Sequence, residues 1–221
     1  MKLRVLKNWN PLADTYQLTK QDIESQVLGD LVKYRKIYSD KYHKSAPTPI
    51  DVDNYVQELW GFSISFESVP QDSDNEDTLG FLRPETRQVV IDDGCTNQRR
   101  ISFTVAHEAG HLSLHRPLFS IQDGFIVGWK HSDPSKNKKK SDTAHVRREW
   151  QANVYAGALL ASRIDVEALL RELGLLSGQT LIPFNLNDHF TKFEERFGLS
   201  RQALEIRLEH LKIPVKKSSI I

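Results

Sequence analysis

Apolar residues recur every three or four positions in the first part of the chain, between residues 17 and 43. They are Ile23, Val27, Leu31, Tyr34 and Ile37. This spacing predicts an amphipathic helix, and the segment SAPTP at 45–49 ends it. PIDVDNYVQELW predicts a second helix, because Asp51 can cap its start and Gly61 follows its last apolar residue.

A different pattern follows. FSISFESV, at 62–69, alternates apolar and polar residues as a strand does, and QDSDNED, at 71–77, is an acidic loop. TLGFLRP and RQVVIDD predict a hairpin that turns at Glu85 and Thr86. The helical pattern returns at 101–115 and again at about 146–161.

Strands gathered early and helices gathered late predict an α+β fold, with a small antiparallel or mixed sheet and a helical C-terminal part. We divide the chain into an N-terminal helical extension (1–44), a main domain (45–213) and a tail (214–221). Residues 116–144 have few periodic signals and predict a long irregular insertion. Two or three further helices are predicted over 163–213.

The composition narrows the class of protein. Of 221 residues, 39% are hydrophobic and 27% are charged, which is ordinary for a globular domain with a core. The net charge of +1 does not favour a nucleic acid or an anionic membrane as partner. The lone cysteine, Cys95, excludes a disulfide framework within the chain. With neither a signal peptide nor a membrane-spanning run, a cytoplasmic protein is expected.

The stretch ISFTVAHEAGHLSLH carries the clearest chemistry. His107 and His111 lie one helical turn apart on one face, so both can bind one ion. Glu108 lies on the flank of that face, where it can accept a proton from a water molecule on the ion. A zinc ion with three protein ligands would lower the pKa of that water to about 7 and polarise a carbonyl group. The apolar surroundings predict a buried helix, in which these polar groups need partners.

The third ligand must come from another element. His115 lies about 12 Å beyond His107 on the same helix, too far to bind the same ion, and is expected to support a ligand or lie at the surface. In REWQANVYAGALLAS, Glu149 shares a helical stripe with small residues, which would let the two helices approach closely. Glu149 is therefore the predicted ligand. It could instead be a solvated acid in the first helical turn, and Glu167 and Glu195 are the other acids to consider.

These segments resemble the ImmA/IrrE metallopeptidase family, whose motif runs approximately F-T-x-A-H-E-x-G-H-x-x-x-H and then E-x-x-A-N-x-F-A-x-x-L-L. The resemblance extends over about residues 45–213, from PIDVDNYVQELW to FGLSRQALEIRLEHLKI. It implies a zincin-type pair of active-site helices on the sheet. Carried over, His107, His111 and Glu149 match the zinc ligands and Glu108 the catalytic glutamate. Ala161-Ser162 stands where the family often has Met-Pro.

The resemblance also implies a function. The expected activity is that of a zinc-dependent endopeptidase that cuts a protein regulator. Proteins of this family are commonly paired with a small helix-turn-helix repressor, which is the expected substrate. Manganese is the other ion to consider. The alternative is a DNA-associated or toxin–antitoxin-type regulator with a structural or vestigial metal site. The presence of Glu108 favours the peptidase, because a structural site has no need of a base and tends to have four protein ligands.

Other residues and segments are candidates for supporting roles. His145, Tyr155 and Asn153 lie near Glu149 in sequence and could donate to a developing oxyanion or support the ligands. The strand TLGFLRP could pair with an extended substrate or could be an ordinary core strand. KNKKK at 136–140 could meet phosphates but is more typical of a solvated loop. LNDHFTKFEERFGLSRQALEIRLEHL has a helix-turn-helix appearance, but its mixed charges favour core packing over DNA reading.

Overall fold

The computed structural model describes the backbone of residues 9–10, 15–69, 79–115, 119–122, 125–129 and 138–216. Side chains are described for residues 17–69, 79–115 and 145–216. The predicted acidic loop at 71–77 and most of the predicted tail lie outside these ranges. None of the described helices is long and apolar enough to cross a lipid bilayer.

Helices dominate the described part of the chain. They are α1 (Lys20–Tyr42), α2 (Val52–Trp60), α3 (Gln98–Leu114), α4 (Lys138–Leu160), α5 (Arg163–Glu172), α6 (Leu186–Phe197) and α7 (Arg201–His210). The strands are β1 (Trp9–Asn10), β2 (Thr15–Tyr16), β3 (Ser63–Glu67), β4 (Gly80–Arg83), β5 (Gln88–Asp92), β6 (Phe119–Gln122), β7 (Phe125–Trp129), β8 (Leu176–Ser177), β9 (Thr180–Leu181), β10 (Phe184–Asn185) and β11 (Val215–Lys216).

Local chemistry sets the helix ends. The Asp51 side chain accepts a hydrogen bond from the Asn54 amide at the start of α2, and Gly61 ends that helix with a left-handed φ of 71°. Asn97 caps α3 by accepting from two backbone amides. These groups satisfy backbone donors that the first helical turn leaves without partners. The predicted ends of α2 are thus confirmed.

The principal sheet has three strands in the order β3-β5-β4. β3 is parallel to β5, and β4 is antiparallel to it, which confirms the predicted hairpin. The central strand β5 buries Val89, Val90 and Ile91, whereas β4 forms one edge of the sheet. A small mixed sheet with segregated helices is an α+β fold, as the sequence predicted.

The prediction that residues 116–144 are irregular is wrong in two respects. β6 and β7 form an antiparallel pair within it, and α4 begins at Lys138, about two turns before the predicted start. The sequences FSIQ and FIVGW are rich in aromatic and β-branched residues, which suit strands. No glycine or proline follows Pro134 before α4, so the helix can extend toward its N-terminus.

The core is built around α3 and α4, which pack along each other, with α1 against α4 and α2 against α3. At the C-terminal end, Gly198 and Ser200 form the predicted turn between α6 and α7. The leucines of α7 face the core, as expected. Arg207 of α7 is also buried, where it pairs with Glu24 of α1 and donates to the Ala161 carbonyl at 2.7 Å.

Candidate metal centre

Small residues let α3 and α4 approach closely. A Cβ atom added to Gly110 would lie 3.0 Å from the Ala152 Cα and 3.1 Å from the Tyr155 Cβ, closer than side chains pack. Ala152 and Ala156 of α4 are fully buried. The stripe of small residues predicted on α4 therefore does face α3, and it brings Glu149 to the histidine face.

His107, His111 and Glu149 converge at this contact. The two Nε2 atoms lie 3.0 Å apart, and Glu149 places Oε2 3.0 Å from His107 Nε2 and Oε1 3.4 Å from His111 Nε2. Ligand bonds of about 2.0–2.2 Å to a tetrahedral zinc ion set the ligand atoms about 3.3–3.6 Å apart. The three measured distances, two of which use different oxygens of Glu149, are within a few tenths of an ångström of that spacing. The triad therefore fits a zinc ion in both chemistry and size.

The electrostatics of the triad also suit a cation. Burial alone would raise the pKa of Glu149, but its hydrogen bonds with His107 and His111 hold that pKa well below its usual range. Burial opposes a charge on His107, yet the contact with Glu149 and the charge of Glu108 raise the pKa of His107 overall. The site favours positive charge, and a metal ion would compete with a proton for His107.

Each histidine of the triad has a polar partner at its other ring nitrogen, Nδ1. His107 Nδ1 lies 2.9 Å from Asn153 Oδ1, and His111 Nδ1 lies 2.9 Å from His115 Nδ1. His115 in turn places Nε2 2.9 Å from Gln151 Oε1. Such contacts orient a metal-binding imidazole and leave its other nitrogen for the ion. Asn153 and His115 therefore support the ligands, and the surface role considered for His115 is wrong because that residue is fully buried.

Glu108 is buried beside the triad without belonging to it. Its burial raises the pKa of the carboxyl group, while the nearby His111 and His107 act in the opposite direction. A carboxylate with a raised pKa is a stronger base than an exposed one. The position of Glu108 therefore suits proton transfer rather than metal binding.

His145 and Tyr155, the two remaining candidates for an oxyanion donor, lie in different environments. His145 Nδ1 lies 3.6 Å from Glu149 Oε1, and its side chain is 61% exposed, so it adjoins the triad. Tyr155 is fully buried, and its hydroxyl contacts the Tyr55 hydroxyl at 2.7 Å and donates to Asp30 at 3.0 Å. A role for Tyr155 as an oxyanion donor is therefore wrong in this arrangement, because its hydroxyl already has buried partners.

Asp30 of α1 organises a second polar group, which we call the Asp30 cluster. It accepts hydrogen bonds from Ser113 Oγ of α3 at 2.5 Å and from the Tyr155 hydroxyl of α4. Gln26 and Lys33 donate to the same carboxyl group. The sequence interpretation missed Asp30, although its place on the apolar face of α1, between Val27 and Tyr34, is a signal of a buried acid.

A groove of about 520 Å³ lies beside the triad, between the first half of α3, the second half of α4 and the length of α7. Phe103, Trp150 and Ile206 give it apolar walls, and Arg99 and Arg100 are among its lining residues. Among the described residues that line it, none is acidic. Asn153 lines the groove and also contacts His107, so the groove opens next to the candidate metal centre.

A model of the peptidase M78 family, described as an IrrE N-terminal-like domain, matches residues 61–209. The match spans more than half of the chain and includes His107, Glu108, His111 and Glu149. The chain belongs to this family. The resemblance drawn from the sequence motifs is thereby confirmed, and membership supports a peptidase, a class of hydrolase. The Asp30 cluster depends on α1, which lies before the matched segment.

The structural comparison agrees with this assignment at the level of the fold. A Mycobacterium tuberculosis transcriptional regulator superposes with a TM-score of 0.50 at 12% sequence identity. The superposition covers 90% of this chain but 60% of the regulator. The chain thus spans less than two thirds of that protein's length, and the likeness concerns the fold alone. The search of curated proteins finds no significant match.

Proposed function

We propose that this M78 family member is a zinc-dependent endopeptidase that hydrolyses a peptide bond in a protein regulator. The observation that carries the proposal is the convergence of His107, His111 and Glu149, with Glu108 buried beside them and left out of the ligand set. A structural zinc site would be closed by a fourth protein ligand. Here the described residues supply three ligands, and Glu108 lies beside them in a position to act as a general base.

The chain's own residues divide the work. His107, His111 and Glu149 would hold the ion, oriented by Asn153 and His115. When bound, zinc supplies Lewis acidity that lowers the pKa of a water molecule and polarises the scissile carbonyl. Glu108 would accept a proton from the attacking water molecule and pass it to the leaving amine. His145, exposed beside Glu149, is the remaining candidate donor to the developing oxyanion.

The sheet and the groove offer places for a polypeptide. β4 is an edge strand that packs against α3, so an extended substrate can pair with it by strand addition. Leu79, immediately before β4, and residues of α7 both line the groove. Its apolar walls suit side chains of the substrate on one side of the cleaved bond.

A helix-turn-helix repressor is the substrate class that we propose, on the basis of the family resemblance. The alternative, a DNA-associated regulator that does not cleave, receives less support from α7. Arg207 is buried against Glu24, and Arg201 pairs with Glu205. These arginines are engaged within the chain rather than aligned for phosphate contacts.

The test uses the full-length protein and the helix-turn-helix repressor encoded nearest to it. Zinc-loaded protein is incubated with the repressor, and the products are sequenced by mass spectrometry. We expect one new N-terminus within the repressor, lost on chelation and restored by zinc. His107→Ala is the control and should leave the repressor intact. If the zinc-loaded wild type binds the repressor and leaves it whole, the non-cleaving regulator is the better account.

A further inference from the structure

The support of His111 extends to Gln151, a residue outside the H-E-x-x-H motif. His111 Nδ1 and His115 Nδ1 are 2.9 Å apart, and His115 Nε2 is 2.9 Å from Gln151 Oε1. His115 and Gln151 are both fully buried. The chain of contacts is therefore sealed from solvent, and it runs from α4 through α3 to one side of the triad.

The hydrogen bonds from His111 through His115 to Gln151 can run in either of two directions. A contact between two imidazole nitrogens holds one proton, so one nitrogen donates and the other accepts. In the first direction, His115 Nε2 donates to Gln151 Oε1, and His111 Nδ1 donates to His115 Nδ1. The neutral His111 then has no proton on Nε2, and that nitrogen can bind an ion.

The opposite direction blocks the site. If the Gln151 amide nitrogen donated to His115 Nε2, then His115 Nδ1 would donate to His111 Nδ1. A neutral His111 would then carry its proton on Nε2, where the ion must bind. The direction of one buried amide group therefore decides whether His111 is ready for metal.

We propose that Gln151 is a positioning residue that sets the tautomer of His111 through His115, and so prepares the triad for zinc. The inference rests on the proposed zinc site. Because Gln151 is buried, no water molecule can replace its oxygen as the acceptor for His115 if that oxygen is lost.

The two ligand histidines differ in this respect. His107 donates directly to Asn153, a residue that is exposed and lines the groove. Water can take the place of the Asn153 oxygen, whereas it has no access to Gln151. Loss of the Gln151 acceptor should therefore weaken zinc binding more than loss of the Asn153 acceptor does.

Two substitutions at Gln151 separate the acceptor from the packing. Gln151→Met keeps the length of the side chain and removes the oxygen, and we expect about 10- to 100-fold weaker zinc binding. Gln151→Glu, with its carboxyl group ionised, can only accept from a neutral His115, so it keeps the required direction and should bind zinc within about threefold of the wild type above the usual histidine pKa. Gln57→Met, at an exposed position of α2, is the matched control and should have no effect.

The dissociation constant is measured by competition with a chromophoric chelator, and folding is checked by urea unfolding. Long-range ¹H–¹⁵N NMR of the wild type gives the tautomers without any variant. We expect the His115 proton on Nε2 before and after zinc addition, and the His111 proton on Nδ1 in the zinc form. A proton on His115 Nδ1, or wild-type affinity in Gln151→Met, would overturn the proposal. Neither readout uses a substrate, so a failure of cleavage alone leaves this inference standing.

Discussion

Two polar clusters connect α3 with α4, and they differ in what surrounds them. In the triad, the Glu149 side chain is 37% exposed and faces two imidazole nitrogens. In the Asp30 cluster, the acid is fully buried and accepts from the hydroxyls of Ser113 and Tyr155. One carboxylate is open to an ion and a substrate, whereas the other is enclosed by donors of the chain itself.

The difference indicates that the Asp30 cluster stabilises the packing of α3 and α4, whereas the triad carries their chemistry. A buried acid that accepts several hydrogen bonds fixes the helices to which its donors belong. Because α1 supplies Asp30, an element before the matched family segment holds the backs of both metal-site helices. The triad on the opposite side of the helix pair can then include the partly exposed Glu149 and keep its geometry.

The largest effect is expected at the enclosed cluster. Asp30→Ala leaves the Ser113 and Tyr155 hydroxyls and the Lys33 ammonium group without their shared acceptor. We expect a loss of about 3–5 kcal/mol in the free energy of unfolding, measured with urea. The control on the same helix is Asp40→Ala, which removes an exposed pair with Lys36 and should cost less than about 0.5 kcal/mol. Equal stability of both variants would contradict the proposed role of the cluster.

The matching change at the open site should affect metal rather than folding. Glu149→Gln keeps the size of the side chain and removes the charge that faces His107 and His111. We expect zinc binding at least about 100-fold weaker, because the outer contacts of a metal site alone are worth 10- to 100-fold. The urea midpoint of the metal-free protein serves as the control for folding. If zinc affinity stays at the wild-type value, another acid is the ligand, and Glu167 and Glu195 are the next to test.

The sequence predicted the open cluster better than the enclosed one. His107, Glu108 and His111 belong to one helical turn, so their shared face follows from local geometry alone. Glu149 could be inferred because the small residues of α4 indicated a close helix contact. The β4–β5 hairpin was likewise predictable from a local alternating pattern.

The parts that were missed depend on contacts between distant segments. Asp30 meets Ser113 and Tyr155 across three helices, and Gln151 meets His115 only in the observed register of α3 on α4. The spacing of apolar residues within one helix does not determine how that helix is aligned against another helix. Tyr155 was considered as an oxyanion donor because it lies close to Glu149 in sequence, but the turn of α4 directs its hydroxyl to Asp30 instead.

The smallest effect concerns pH. The pKa of His107 is raised above its usual 6.5, because Glu149 and Glu108 favour the charged imidazole and outweigh burial. Zinc must displace that proton, so its apparent affinity should fall as the pH is lowered through a value above 6.5, about tenfold per pH unit for each proton released. Isothermal titration calorimetry in buffers of different ionisation enthalpy counts the protons. Affinity that is constant down to pH values below 6 would contradict the assigned electrostatics.

The central claim is that the triad holds the ion and Glu108 moves the proton. Glu108→Gln should keep the zinc content and the urea midpoint of the wild type, because Gln and Glu have similar helix propensities and Glu108 is not a ligand. Cleavage of the repressor should slow by about two to four orders of magnitude. The decisive measurement is the rate constant for cleavage and the zinc content on one sample of Glu108→Gln. A full zinc complement with a cleavage rate lowered at least about 100-fold is the predicted result. A full zinc complement with the wild-type rate would contradict the account.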